Sequence, residues 1–317
     1  MTGVGNIERV LSHWRISLKV LRPDIIIAGS PERTAYRVVI EDKEGRCWLL
    51  EKIPAHQMQY KLDIIRLLEH LTHQGFRYAL PYHPTTGNGY HAACGNGVWQ
   101  LVPFLSDARL DRPRYVFDTW RGPCMADCLI TLRKASGGFP TPAGRGFFSI
   151  TKYIGDMTDR MARHNPGLLG PVSPVLAYLQ QRFFPQHDAL PVALCHGDYH
   201  PLNILWKPDT IIALIDWEFF GLKPEGYDVA NMVGCLGMED PESLSGDMVC
   251  SFLGALKSAG FLSAASWQSL PDLILALRFA WLSEWLRNSD TDMIDLELTY
   301  MYLLMDNRQK LKTLWEL

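Results

Sequence analysis

His196-Gly197-Asp198-Tyr199-His200-Pro201-Leu202-Asn203-Ile204-Leu205, followed by a strand pattern and then Ile215-Asp216-Trp217-Glu218, is the most informative part of the chain. Asp198 and Asn203 leave one tight loop, and Asp216 ends the next strand, so a β-hairpin returns it beside them. A carboxylate, an amide oxygen and a second carboxylate then share one place. Phosphoryl transfer needs such a set: one carboxylate to orient or deprotonate an attacking hydroxyl, and hard oxygen ligands to hold magnesium against phosphates. A polar loop with capping Asp and Asn would explain the residue types. It would not explain their long, constrained spacing.

The layout matches the H-x-D-x-x-x-x-N loop of kinases and the metal-binding Asp that follows it. The chain resembles the aminoglycoside phosphotransferase and choline kinase superfamily, which includes homoserine kinases. Its H-G-D-x-H-x-x-N loop runs here from His196 to Asn203, its I-D-[WF]-E from Ile215 to Glu218, and its Y-D-x-A is Tyr227-Asp228-Val229-Ala230. Leu202 stands where that family usually has Gly. The resemblance covers residues 25–231 and fades beyond. It implies an α+β, bilobed, protein-kinase-like fold, with Asp198 as catalytic base, Asn203 and Asp216 as Mg2+ ligands, His196 supporting the loop, and Asp228 anchoring it through backbone N–H groups.

Residues 1–104 read as strands around one helix, at 25–28, 36–41, 46–53, 90–93 and 98–102, with a helical periodicity over 57–73. Within 46–53, Trp48, Leu50 and Lys52 alternate onto one face. An ammonium on an apolar face calls for anionic partners. Nucleotide phosphates and a helix carboxylate would supply them, and Glu69, at the margin of the apolar stripe of 57–73, is the expected helix partner. Gly29 and Ser30 begin the turn between the first two strands, placed to cover phosphates with N–H groups and a hydroxyl. Residues 100–105, with Phe104, form the expected hinge, where adenine would meet backbone groups.

Beyond residue 105 the pattern is helical apart from strands at 192–195 and 211–215, which gives a nucleotide-binding N-terminal lobe at 1–104 and a helical C-terminal lobe at 105–317 that carries the catalytic loop and acceptor site. The acidic run Glu284, Asp290, Asp292, Asp295, Glu297 and Asp306 could line a pocket for an amine, and Trp281 and Trp285 could cage one. Ser289-Asp290-Thr291-Asp292 also reads as an ordinary helix start, and the two indoles as core.

The 317 residues carry a net charge of −3 and are 47% hydrophobic and 21% charged, which excludes disordered and collagen-like chains. The charge gives no footing for nucleic acid, and no uncharged run reaches a membrane span. Seven irregularly spaced cysteines argue against a disulfide framework and for a cytoplasmic protein. The expected protein is an ATP- and Mg2+-dependent kinase of a small molecule, with an aminoglycoside, an amino alcohol such as choline or homoserine, or a sugar as hydroxyl acceptor. One alternative is an inactive nucleotide-binding pseudokinase or scaffold, which the presence of Lys52, Asp198, Asn203 and Asp216 counts against. Another is a metal hydrolase using His196, Asp198 and His200.

Overall fold

The computed structural model describes residues 4–27, 35–140 and 146–317. Contacts divide the chain into two compact units, Met1–Ala108 with Leu205–Ile215, and Arg109–Ile204 with Asp216–Leu317. The first contains α1 (Val4–Leu11), β1 (Leu18–Leu21), β2 (Tyr36–Asp42), β3 (Cys47–Ile53), α2 (Met58–His73), β4 (Ala92–Cys94) and β5 (Gly97–Pro103). Its strands form one antiparallel sheet in the order β1-β2-β3-β5-β4. Period-two alternation sends Trp48 and Leu50 to one face, where they pack with Trp99 and Leu101 of β5 and with Ile7, Val10 and Leu11 of α1.

The β2–β3 turn is held by a fully buried carboxylate. Asp42 accepts the N–H groups of Glu44 (3.0 Å) and Arg46 (2.8 Å) and the indole N–H of Trp48 (2.9 Å). Gly45, at φ 80°, supplies the left-handed residue the turn requires. Burial works to raise the Asp42 carboxyl, but the bonds from Trp48 and Arg46 outweigh it and hold it below the usual carboxylate range.

The first strand is not where residues 25–28 suggested. Residues 25–27 lie outside any strand, Ile26 is 93% exposed, and β1 occupies Leu18–Leu21, paired with β2. Pro23 opens a turn in which Ile25 N–H bonds back to the Arg22 carbonyl (3.2 Å), so the apolar run is not held against a neighbouring strand.

Two further strands, β6 (Val192–Cys195) and β7 (Ile204–Lys207), precede β8 (Thr210–Leu214), which pairs with β7, and β9 (Gly221–Pro224), which pairs with β6. Most of the β7–β8 hairpin belongs to the first unit. Trp206 O accepts the Ala108 N–H (2.8 Å), Leu214 N–H donates to Tyr78 O (2.9 Å), and Trp206 and Leu214 are fully buried. The sequence suggested a continuous division at 104/105; the compact units are instead interleaved, because this hairpin finds its partners near Tyr78 and Ala108.

The second unit holds α3 (Arg121–Ala135), α4 (Ile150–His164), α5 (Leu169–Arg182), α6 (Phe184–His187), α7 (Tyr227–Glu239), α8 (Asp247–Ser258), α9 (Ala264–Asn288) and α10 (Thr291–Leu314). Helix α10 starts where the sequence signalled, with the Asp290 carboxylate accepting the Met293 N–H (3.1 Å). The neighbouring acids are engaged too. Glu284 pairs with Arg287 at 2.6 Å, and Glu297 forms a fully buried bidentate pair with Arg278 at 2.5 and 2.6 Å.

Candidate active site

The antiparallel pair β6–β9, in register from Val192↔Pro224 to Cys195↔Gly221, delivers the chain at His196 beside the chain at Phe220. Gly197 sits at φ 88°, and a Cβ there would run into the Phe219 carbonyl, so only glycine fits this crossing. Asp228, at the start of α7, accepts the N–H groups of His196 (2.7 Å) and Gly197 (2.8 Å), one on each oxygen, which is the anchoring role expected of it. Burial pushes the Asp228 carboxyl upward, opposed by these bonds and by the nearby positive charge of Lys223. His196 is fully buried, with its ring 4.7 Å from that of Trp217, and its Nδ1 accepts the Asp198 N–H (3.3 Å). Tyr199 fastens the loop to α3 by donating its hydroxyl to Met125 O (2.8 Å), and Asn231 of α7 donates to Tyr199 O (3.3 Å).

This scaffold presents Asp198 and Asn203 together. The Asn203 amide donates to the main-chain oxygen of Asp198 and to its Oδ2, both at 2.9 Å, and His200 Nε2 lies 3.4 Å from Asp198 Oδ1. Burial tends to raise the Asp198 carboxyl. Contacts with His200, His196 and Asn203 outweigh it, so the group lies below the ordinary carboxylate range and is ionised at neutral pH. Because the Asn203 nitrogen faces Asp198, its amide oxygen is the atom left to act as a hard ligand. Asp216 lies two residues past the end of β8 and holds a left-handed conformation, φ 60° and ψ 63°, uncommon outside glycine. Hairpin β7–β8 runs between Asn203 and Asp216, so both adjoin its open end.

These oxygen donors suit Mg2+, which takes one or two protein oxygens and completes its shell with water and phosphate. Among the described residues no group of three or more His, Cys, Asp and Glu side chains could hold a metal ion. The hydrolase reading of His196, Asp198 and His200 therefore has no support, since His196 points Nδ1 at a backbone N–H.

On the first unit the expected charge pair is not formed. Lys52 Nζ donates to Asn96 Oδ1 (3.2 Å) and lies 5.9 Å from the Trp99 ring, while Glu69 accepts the Tyr90 hydroxyl, whose pKa is pushed up to about 12 by burial and by Glu69. The physical reason is the face: Lys52 shares the α1-covered side with Trp48 and Leu50 and runs across Gly97, where a Cβ would strike its stem. The buried charged residues nearby are instead Glu51, bonded to Gln100 (2.6 Å) and paired with Arg37 (2.8 Å), and Lys61 on α2. Phe104 extends the β3–β5 ladder through its N–H to Cys47 O (2.9 Å), so that donor is not open to a base. Gly29 and Ser30 lie outside the described residues.

Sequence reasoning passed over Lys223 and the position of Trp281. Lys223 is buried behind the loop, its ammonium 4.2 Å from the Phe148 ring and 4.5 Å from that of Tyr227. A lysine at a strand edge carries no signal of this kind. Trp281 and Trp285 stack at 6.0 Å, and Trp281 faces the chain's own Arg278 guanidinium at 5.6 Å, so they are not arranged as an open cage. The other edge of Trp281 meets His200, with ring centroids 6.2 Å apart.

A family model described as APH, phosphotransferase enzyme family, matches residues 27–260. A homoserine kinase of Beijerinckia indica is 27% identical over 221 residues, which cover 68% of this chain and 65%, just under two thirds, of that relative. An aminoglycoside phosphotransferase structure from Alicyclobacillus acidocaldarius superposes with a TM-score of 0.68 at 15% identity, covering 97% of this chain and 95% of the other. A microcompartment-associated aminopropanol kinase superposes with a TM-score of 0.67 at 17% identity, covering 98% of each chain. The shared fold is the α+β, protein-kinase-like one anticipated from the sequence.

Proposed function

Since this chain belongs to the phosphotransferase enzyme family, we propose that it is a cytoplasmic kinase that transfers the γ-phosphate of ATP, with Mg2+, to the hydroxyl of a small amino alcohol, homoserine before choline, aminoglycosides or sugars. The observation that carries the reading is the Asp198–Asn203 arrangement, a half-buried, ionised carboxylate locked to the amide that follows it by five residues. The named homoserine and aminopropanol kinases among the similar proteins favour an amino alcohol. Seven free cysteines suit a reducing compartment.

In this reading Asp198 accepts a hydrogen bond from the acceptor hydroxyl and aims its oxygen at phosphorus. The low basicity of the carboxylate makes orientation its first task, with the proton arriving late, as the O–P bond forms and the bond to the ADP oxygen breaks. Asn203 keeps Asp198 in place through its Nδ2 and offers its Oδ1, together with the Asp216 carboxylate, to the metal. Bound Mg2+ would neutralise charge on the β- and γ-phosphates. Of the expected nucleotide-side residues, Phe104 and the Gly29-Ser30 turn remain in the proposal; Lys52 does not, because its ammonium lies on the α1-covered face and donates to Asn96, and Glu69 acts on Tyr90.

The absent Lys52–Glu69 pair favours one second reading, a nucleotide-binding protein without turnover. One assay separates the two. ADP release is measured with Mg-ATP and, in turn, homoserine, aminopropanol, choline, an aminoglycoside and a sugar. Stimulation by homoserine or aminopropanol is expected. ATP binding with no stimulation by any acceptor would decide for the second reading.

A further inference from the structure

With Lys52 turned to the α1 side, the nucleotide phosphates need another cation, and the opposite face of the same sheet carries one. The pairing registers set two rows side by side there. Val39, Leu49 and Val102 face one another across β2, β3 and β5, and Arg37, Glu51 and Gln100 form the next row. Two residues along each strand separate the rows, or roughly 7 Å. Val39, Leu49 and Val102 lie outside the core that α1 covers, and Leu49 and Val102 are half-buried, which leaves apolar surface for a base. β5 runs from Gln100 through Val102 to Pro103, beside the Phe104 hinge where the base is expected, so the polar row falls on the phosphate side. That row is built around one carboxylate. Glu51 is buried; its Oε1 meets Arg37 Nε at 2.8 Å, and its Oε2 accepts the amide of the fully buried Gln100 at 2.6 Å. Other cations of this unit are poorly placed. Lys61 on α2 is only 1% exposed and closed to a ligand, and Lys19 and Arg22 pair with Glu41, on the base side of the apolar row. Arg37 keeps 23% of its side chain exposed. A guanidinium is a planar fork of N–H donors, so one that meets a carboxylate through Nε also has groups for phosphate oxygens.

We propose that Arg37 is the phosphate-binding cation for the nucleotide, with Glu51 orienting its guanidinium and Gln100 holding Glu51. The inference rests on the reading of the chain as an ATP-dependent kinase. It moves the cation from β3 to β2, and the carboxylate that orients it from a helix to β3. Arg37 neutralises charge on the phosphate oxygens and moves no proton, and it stays charged across the working range of pH.

Binding measurements test this without an acceptor. Mg-ATP and adenosine, which has the base and ribose but no phosphate, are titrated into the wild type, Arg37→Met, Lys52→Met and the double variant Arg37→Met/Glu51→Gln. Losing a charge-assisted hydrogen bond lowers affinity by about ten- to a hundredfold. Arg37→Met should lose that much for Mg-ATP and keep its adenosine affinity within about twofold. Lys52→Met should bind Mg-ATP like the wild type. Arg37→Met strands the buried Glu51 charge and can lose its fold for that reason alone. The double variant removes both charges, so it should melt near the wild type and still lack the ATP affinity. Wild-type Mg-ATP affinity in the folded double variant, equal losses for ATP and adenosine, or a loss in Lys52→Met as large as in Arg37→Met overturns the proposal and leaves a kinase that holds its phosphates in another way. A second measurement uses the wild type itself. Its Arg37 Nε–H resonance, assigned by its loss in Arg37→Lys, should move on adding Mg-ATP and stay in place on adding adenosine; no movement with Mg-ATP bound overturns the proposal even if the double variant does not fold. A wild type that binds no Mg-ATP overturns the kinase reading, and this inference with it.

Discussion

At the scale of single residues, Asp198 carries the sharpest expectation. Asp198→Asn is nearly isosteric, so the fold and ATP affinity should persist while kcat falls by about 10²–10⁴-fold, the usual general-base contribution. Retention of more than about a tenth of wild-type turnover would remove Asp198 from that role. Asp216→Ala should weaken Mg-ATP binding more than Asp198→Ala does, because Asp216 is the proposed metal ligand; calorimetric titration of both variants decides, and equal losses would end that division of labour. Asp42 supplies a pH expectation. Its folded pKa lies below the unfolded value of 3.8, so its contribution is complete above that value and is lost as pH falls through the folded one. The stability gap between wild type and Asp42→Ala, read from urea midpoints, should therefore narrow between pH 6 and pH 3, and a constant or widening gap would contradict it. The loop was legible as a motif because its spacing is constrained: the Asp228 carboxylate accepts the backbone N–H groups of His196 and Gly197, the His196 ring accepts the Asp198 N–H, and the Asn203 amide donates to the Asp198 carboxylate. Lys52 was not, since alternation says which residues share a face and is silent on which face α1 covers.

At the scale of elements, the helical periodicity over 57–73 became α2 and the strands expected at 90–93 and 98–102 became the β4–β5 hairpin, whereas α1 was not anticipated among the strands of residues 1–104. The β1 strand escaped because four residues, Leu18–Leu21, give too short a pattern, while the more apolar residues after Pro23 imitated one. The acids near the C-terminus read ambiguously for a related reason: sequence gives their number but not their partners. Glu297 meets Arg278 in the interior between α9 and α10, and Trp285 also donates to it (3.1 Å). Removing one member of such a pair strands the other charge, at about 3–5 kcal/mol. Glu297→Ala should thus destabilise the protein far more than Glu284→Ala, whose pair with Arg287 is exposed and contributes about 0–1 kcal/mol. Chemical denaturation of both variants checks this, and similar midpoints would show that the buried pair is replaceable.

For the whole molecule, the α+β class and the kinase-like fold were readable from the order of strands and helices, whereas the interleaving of the two units was not, because no local pattern says that Trp206 belongs with Ala108. The hairpin can be tested as a missing part. A fragment of residues 1–108 should melt without a cooperative transition, and the same fragment with residues 205–215 joined by a flexible linker should regain one; cooperative melting of the shorter piece would show that the hairpin is dispensable. The same interleaving constrains how the chain is made. A ribosome adding about 5–20 residues per second would finish residue 108 roughly 5–20 s before it reaches residue 215, and for that interval the nascent first unit lacks its last two strands. Its apolar surface around Tyr78 must wait, shielded or chaperoned, while roughly half of the second unit is synthesised, so the first unit, though it begins the chain, is completed only midway through the synthesis of the second.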